Sequence, residues 1–104
     1  MDGKTTVKYL QHYIRAKDNH PDLKKDYFLK LSEEVGELAK AMRKELRPAD
    51  GGIKETIDEE LWDVVYYALA IANCYDIDLE QVIAEKEALN QAKYHTEFPF
   101  EPGR

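Results

Sequence analysis

One cysteine, one tryptophan, four prolines and five glycines are all that 104 residues contain of these types, and each scarcity closes off a class of protein. Cys74 alone permits no internal disulfide; set in an apolar stretch, it reads as a small core hydrophobe. The one glycine pair, Gly51-Gly52, marks a turn and lacks the lysine and hydroxyl residue of a phosphate-binding loop. Basic residues are outnumbered, 15 against 21 acidic, for a net charge of −6. That balance argues against a nucleic-acid polymer as partner, which would need a basic face. No uncharged apolar run is long enough to span a bilayer, and Met1-Asp2-Gly3-Lys4 is not a signal peptide, so no membrane and a cytoplasmic location are expected. Strand-like alternation and solenoid-period repeats are missing too. The histidines, His12, His20 and His95, are scattered without metal-ligand spacing; solvated or capping roles are expected of them.

What is present is helical periodicity. The length suits one domain over residues 1–104, and the pattern predicts an all-α, compact four-helix bundle. The first helix should start at Thr5 or Thr6 as N-cap and bury Val7, Leu10 and Ile14. Asn19-His20-Pro21 ends it, because the residue before proline avoids the helical region. The second helix runs from about Leu23 or Asp26 to about Leu46, and Arg47 to Gly52 is a loop by composition. The third extends from about Ile53 to Cys74. Asp78 caps the fourth, with Gln81 at capping-box spacing and Leu79, Val82, Ile83 and Leu89 facing inward. Residues 95–104 carry two prolines and are expected to form an extended tail, whose Phe98 and Phe100 suggest that it docks. Gly36, inside a helix, costs about 1 kcal/mol against alanine; close helix approach beside it would offset that.

Two acidic clusters carry the chemistry, Glu33-Glu34-Val35-Gly36-Glu37 and Glu59-Glu60-Leu61-Trp62-Asp63. From Leu61 to Ala72, Asp63 is the only ionisable residue besides two tyrosines. A helix apolar on nearly every side is buried, and an unpaired carboxylate in it is very costly. Lysine, arginine or a metal would serve as its partner. No basic residue lies within a helical turn of Asp63, and Glu60 adds like charge, so a bound cation is the economical reading. Phe28, Leu31, Val35, Leu38 and Met42 form one apolar seam; Ile57, Leu61, Val64, Ala68 and Ile71 form the other. Glu34 and Glu37 lie roughly 70° and 130° from the first seam, and Glu60 and Asp63 roughly the same from the second, in the same sense. The short connection favours antiparallel neighbours, in which equal offsets place all four carboxylates on one side. Oxygen ligands alone suit Mg²⁺ or Mn²⁺. Charged helix faces are also commonly no more than solvated.

"LSEEVGELAKAM" followed by "EELWDVVYYALAIANCYDIDLEQVIAEKEALNQAKY" resembles the MazG-like, all-α nucleoside triphosphate pyrophosphohydrolases over roughly Tyr27 to Tyr94. The resemblance implies Mg²⁺-dependent cleavage between the α and β phosphates of a (deoxy)nucleoside triphosphate, giving monophosphate and pyrophosphate, with Mn²⁺ as a possible substitute. It implies metal ligands at Glu34, Glu37, Glu60 and Asp63, with Glu33 as an auxiliary group; lying farthest from the seam, Glu33 is the candidate general base. It also implies substrate contacts from Lys86, Asn90, Lys93 and Tyr94, a looser part of the match. Lys86 and Lys93 are the candidates for holding the leaving pyrophosphate, with Lys44 and Lys54 as more distant ones. Tyr67, one turn beyond Asp63, would stack on a base or simply pack.

Two other readings stand beside this one. A phosphoribosyl-ATP pyrophosphohydrolase of histidine biosynthesis has similar acidic motifs, though "EEVGEL" and the "DIDLEQVIAEKEALN" ending are nearer to MazG. A non-catalytic helical module, holding partners or a structural metal, would turn over no nucleotide. A di-iron bundle is disfavoured, since neither cluster supplies the histidine of Glu-x-x-His. Trp62, Tyr66 and Leu69 lie off the third helix's seam, and this second apolar face predicts a homo-oligomer, dimer or tetramer.

Overall fold

The computed structural model describes residues 5–94 and 98–101, so His95, Met1–Lys4 and most of the expected tail lie outside the described residues. Among the described residues there are four α-helices, α1 (Val7–Lys17), α2 (Lys24–Arg43), α3 (Ile57–Cys74) and α4 (Leu79–Tyr94), and one 3₁₀ turn at Pro21–Leu23. The all-α architecture is the expected one.

Local chemistry explains where each helix begins. The Thr6 hydroxyl accepts the Tyr9 N–H at 3.0 Å and opens α1, as predicted. The Asp78 carboxylate likewise accepts the Glu80 and Gln81 N–H groups. Gln81 itself does not complete a capping box, because its side chain turns to Glu85 instead. The reciprocal box lies one helix earlier: Thr56 accepts from the Glu59 N–H, and Glu59 Oε1 accepts from the Glu55 N–H at 2.9 Å. This cap starts α3 at Ile57, four residues later than expected.

The helix ends also differ from expectation. Glu45 takes φ 53° and Asp76 φ 55°, left-handed positions that usually go to glycine. Around each, paired backbone bonds close the helix: Leu46 N–H to Ala41 O with Glu45 N–H to Met42 O, and Ile77 N–H to Ala72 O with Asp76 N–H to Asn73 O. These Schellman closures end α2 at Arg43 and lengthen the α2–α3 connection, which Arg47 clamps to α3 through two bonds to Asp58, 2.7 and 3.1 Å.

The core sits where α1 crosses α3. Ile14, Tyr27, Leu69, Ala70 and Cys74 are buried together, with Val7, Leu10, Tyr66, Tyr67 and Ile71 against them. Asp18, at the end of α1, accepts hydroxyl bonds from Tyr27 (2.7 Å) and Tyr66 (3.0 Å) and so joins α1, α2 and α3. Burial pushes both phenols up, Tyr66 to about 12, and Asp18 adds to the effect. Gln11 and Asn73 form the second junction. Gln11 Nε2 donates to Asn73 Oδ1 and Ile77 O, and its Oε1 accepts the Leu79 N–H. Asn73 Nδ2 returns a bond to Gln11 O. The pair is buried and locks the α3–α4 turn onto α1.

α2 and α3 are antiparallel: Tyr27 meets Tyr67 at one end, and the Ile57 N–H reaches Leu46 O at the other. Their seams are rotated from the expected ones. Tyr27, Leu31, Glu34, Leu38 and Ala41 are the shielded positions on α2, and Glu60, Val64, Tyr67 and Ile71 on α3. Phe28, Val35 and Met42, with Leu61 (51 % exposed), Val65 (44 %) and Ala68, therefore face outward. The second face expected for assembly is covered differently: Leu69 (4 % exposed) and Tyr66 pack beneath α1, and Trp62 lies edge-on to Tyr66. Among the described residues, nothing beyond its own stretch of α2 lies within 4 Å of a Cβ placed on Gly36, so no close helix approach among them explains that glycine. α4 packs chiefly against α1, and the radius of gyration, 16.1 Å, exceeds the ~13 Å of a closely packed domain of this length.

Candidate active site

The rotated seams bring acids into the middle of the α2–α3 hairpin. One carboxylate oxygen from each of Glu34, Glu60 and Asp63 lies within 4.8 Å of the others. Neighbouring acids are occupied elsewhere, which sorts the clusters. Asp58 is held by Arg47, Glu59 by the α3 cap, and Glu33 faces outward to Lys30 at 3.5 Å. Glu37 is exposed, one turn along from Glu34, and shares with Glu60 the wall of a 130 Å³ cavity. Three of the four expected carboxylates thus meet, and the fourth adjoins them.

Glu60 is 7 % exposed, and no donor among the described residues reaches its Oε2. A buried ionised oxygen without a partner is very costly. Desolvation first, then Glu34 and Asp63 beside it, push the Glu60 carboxyl up to about 7. Asp63 moves the same way for the same leading reason, with Glu34 and Glu59 adding like charge. Only a proton or a cation relieves such a group. Oxygen-only donors, clustered and short of positive charge, fit a hard divalent ion.

The other sequence candidates lie apart from this cluster. Lys86, Asn90, Lys93 and Tyr94 stand on α4, an element that packs chiefly on α1. Asn90 donates to Glu87 at 3.1 Å, and the Lys93 ammonium lies over the Tyr94 ring. Asn90 and Tyr94 also line a 390 Å³ cavity with Phe98, Pro99 and Phe100, so the described part of the tail returns to α4. Tyr67 packs between the Tyr27 and Tyr66 rings, at centroid distances of 6.4 and 5.2 Å. Lys44 lines the 130 Å³ cavity, and Lys54 does not. Lys40, on the same wall, was not singled out from sequence, though Glu37, Lys40, Ala41 and Lys44 share one face at helical spacing.

Residues 24–94 match the model of the MazG nucleotide pyrophosphohydrolase domain. Crystal structures of iMazG from Vibrio DAT 722 are similar in fold and sequence. An N-tagged form is 39 % identical with a TM-score of 0.80, covering 88 % of this chain and 100 % of that one. A C-tagged form is 39 % identical at 0.79, covering 84 % and 99 %. No curated protein sequence matches this chain.

Proposed function

This chain belongs to the MazG nucleotide pyrophosphohydrolase family and is a nucleoside triphosphate pyrophosphohydrolase; from that premise we propose that it uses Mg²⁺, with Mn²⁺ as a substitute, to cleave the α–β phosphate bond. The products would be a (deoxy)nucleoside monophosphate and pyrophosphate. The observation that carries the metal reading is the orphaned, buried Glu60 Oε2 beside Glu34 and Asp63.

In this reading Glu34, Glu60 and Asp63 hold the ion, and Glu37, one turn from Glu34, supplies a fourth oxygen. A divalent ion held by these residues would supply charge shielding for the phosphates and a lowered pKa for a bound water. Glu33, outside that set, is assigned as the base that takes the water's proton. Tyr67, one turn beyond Asp63 in sequence, is assigned to limit where the nucleotide lies. Lys86, Asn90, Lys93 and Tyr94 are assigned to substrate. Because α4 lies against α1, these four would meet a nucleotide held by the acids of a second copy.

The active species is accordingly proposed to be a homo-oligomer, dimer or tetramer, of one helical domain per chain. The outward Phe28, Val35 and Met42 of α2 and Leu61, Val65 and Ala68 of α3 support that reading, as contiguous apolar faces are usually covered by a partner. No helix among the described residues is long and apolar enough to cross a membrane, and a cytoplasmic enzyme acting on free nucleotides is proposed. The test is incubation with canonical, deoxy and modified nucleoside triphosphates plus Mg²⁺, products resolved by chromatography. Monophosphate plus pyrophosphate is expected; diphosphate plus phosphate would reject the bond assignment.

A further inference from the structure

The 130 Å³ cavity beside Glu60 is bounded on its α2 side by Lys40 and Lys44, one turn apart, with Glu37 and Glu60 adjoining. Among the described residues neither lysine forms an ion pair, although three carboxylates, Glu37, Glu55 and Glu60, line the same space. Some other lysines are engaged, Lys30 with Glu33 and Lys24 over the Tyr75 ring. Two lysines on the α2 side and the buried Glu60 carboxylate, whose Oε2 no donor among the described residues reaches, thus line one space of mixed charge.

The size of the space restricts what enters. A nucleoside needs a pocket nearer ~300 Å³ or more, whereas 130 Å³ corresponds to about four waters at liquid density. Phosphoryl groups fit, and a base with its sugar does not. A nucleotide whose α-phosphorus lies at the acidic trio must place its nucleoside outside this cavity. The phosphates running the other way are then the ones that enter it.

We infer that Lys40 and Lys44 hold the β- and γ-phosphates, the part released as pyrophosphate, in the cavity between the end of α2 and Glu60. The inference rests on the proposed function and deepens it, since it would assign the orientation of the polyphosphate. Each ammonium supplies three donors and a compact charge, and charge-assisted bonds to phosphate are among the stronger contacts available.

The test compares the wild type with Lys40→Gln/Lys44→Gln and with Lys40→Arg/Lys44→Arg. Measurements are inhibition of turnover by inorganic pyrophosphate, inhibition by nucleoside monophosphate, and Mn²⁺ binding by electron paramagnetic resonance. In the glutamine variant, pyrophosphate inhibition should weaken about tenfold or more, the scale of one lost charge-assisted contact. Monophosphate inhibition and Mn²⁺ binding should stay unchanged, and the arginine variant should recover most of the pyrophosphate affinity. Equal weakening towards both products, or no change in pyrophosphate inhibition, would overturn the assignment. A wild type that releases no pyrophosphate from any triphosphate would instead overturn the proposed function, so the two failures are separable.

Discussion

Glu34 of α2 and Glu60 of α3 meet carboxylate to carboxylate across the helical hairpin, and no donor among the described residues reaches Glu60 Oε2. Folding therefore brings like charges together in a shielded place, the reverse of what stability alone would select. The relationship makes the site's occupancy a measurable part of the protein's stability.

Without divalent ions, the protein should be more stable near pH 5 than near pH 8. The folded-state value for Glu60 lies above its ordinary one, at about 7 against 4.5, so the folded protein binds more protons between the two. Stability is then fully present below the ordinary value and is lost as pH rises through about 7. Asp63 contributes with the same sign. Asp58, lowered by Arg47, acts in the opposite sense but below that window. Thermal melts in chelator across this range should fall with pH, and added Mn²⁺ should flatten the curve.

Glu60→Gln should raise the melting temperature of the ion-free protein at pH 8, because the amide removes a buried charge while keeping the shape. The same substitution should abolish most of the further rise that Mg²⁺ or Mn²⁺ gives the wild type, since an ion stabilises only where it binds the native state. Undiminished stabilisation of the variant by Mn²⁺ would place the ion elsewhere.

Asp63→Asn should lower turnover by about 100-fold or more with saturating Mg²⁺, the scale of losing several kcal/mol of charge stabilisation. Its helicity should match the wild type, as asparagine preserves size and polarity. A variant that unfolds would assign Asp63 a structural role.

Gln11→Ala and Asn73→Ala should each cost about 1–3 kcal/mol in urea denaturation, because each strands a buried polar partner. Gln11 makes the only side-chain bond to the Leu79 N–H among the described residues. Its loss should also loosen α4, read as faster amide exchange in the first turn of that helix. The double variant should fall short of additivity, since both changes break the same Gln11–Asn73 contacts.

The helices, their antiparallel order and the acids that converge were legible in the sequence because apolar spacing and like-charged neighbours have few packed solutions. The rotation of each seam was not. Val35 and Met42 are as apolar as Leu31 and Leu38, and spacing alone does not say which stripe meets a neighbour within the chain. That rotation draws Glu34 and Glu60 into the seam while leaving Glu37 on its margin. Helix ends were misplaced for a different reason: Glu45 and Asp76 fill left-handed positions that glycine normally signals. Thr56-x-x-Glu59 was a readable cap that assigns Glu59 to backbone, and reading it would have placed the start of α3 correctly.

The same rotation decides where assembly should be tested. Trp62, at 39 % exposed, already rests edge-on against Tyr66, so it has an intramolecular partner. Leu61 and Val65 have the larger exposure and lie one turn apart on the face that α1 and α2 leave open. Val35 and Met42 extend that face across α2, with Gly36 beside it offering no side chain to obstruct a neighbour. A carboxylate placed there would be buried without a partner in an oligomer but solvated in a free chain, so its cost falls on association alone. Val65→Asp should therefore yield smaller species by light scattering, with the helical content of the single chain preserved. Turnover should fall in parallel if α4 of one copy serves the acids of another. Wild-type protein that is monomeric and fully active at micromolar concentration would sink the assembly, and α4 would then have to reach its own acids by moving off α1.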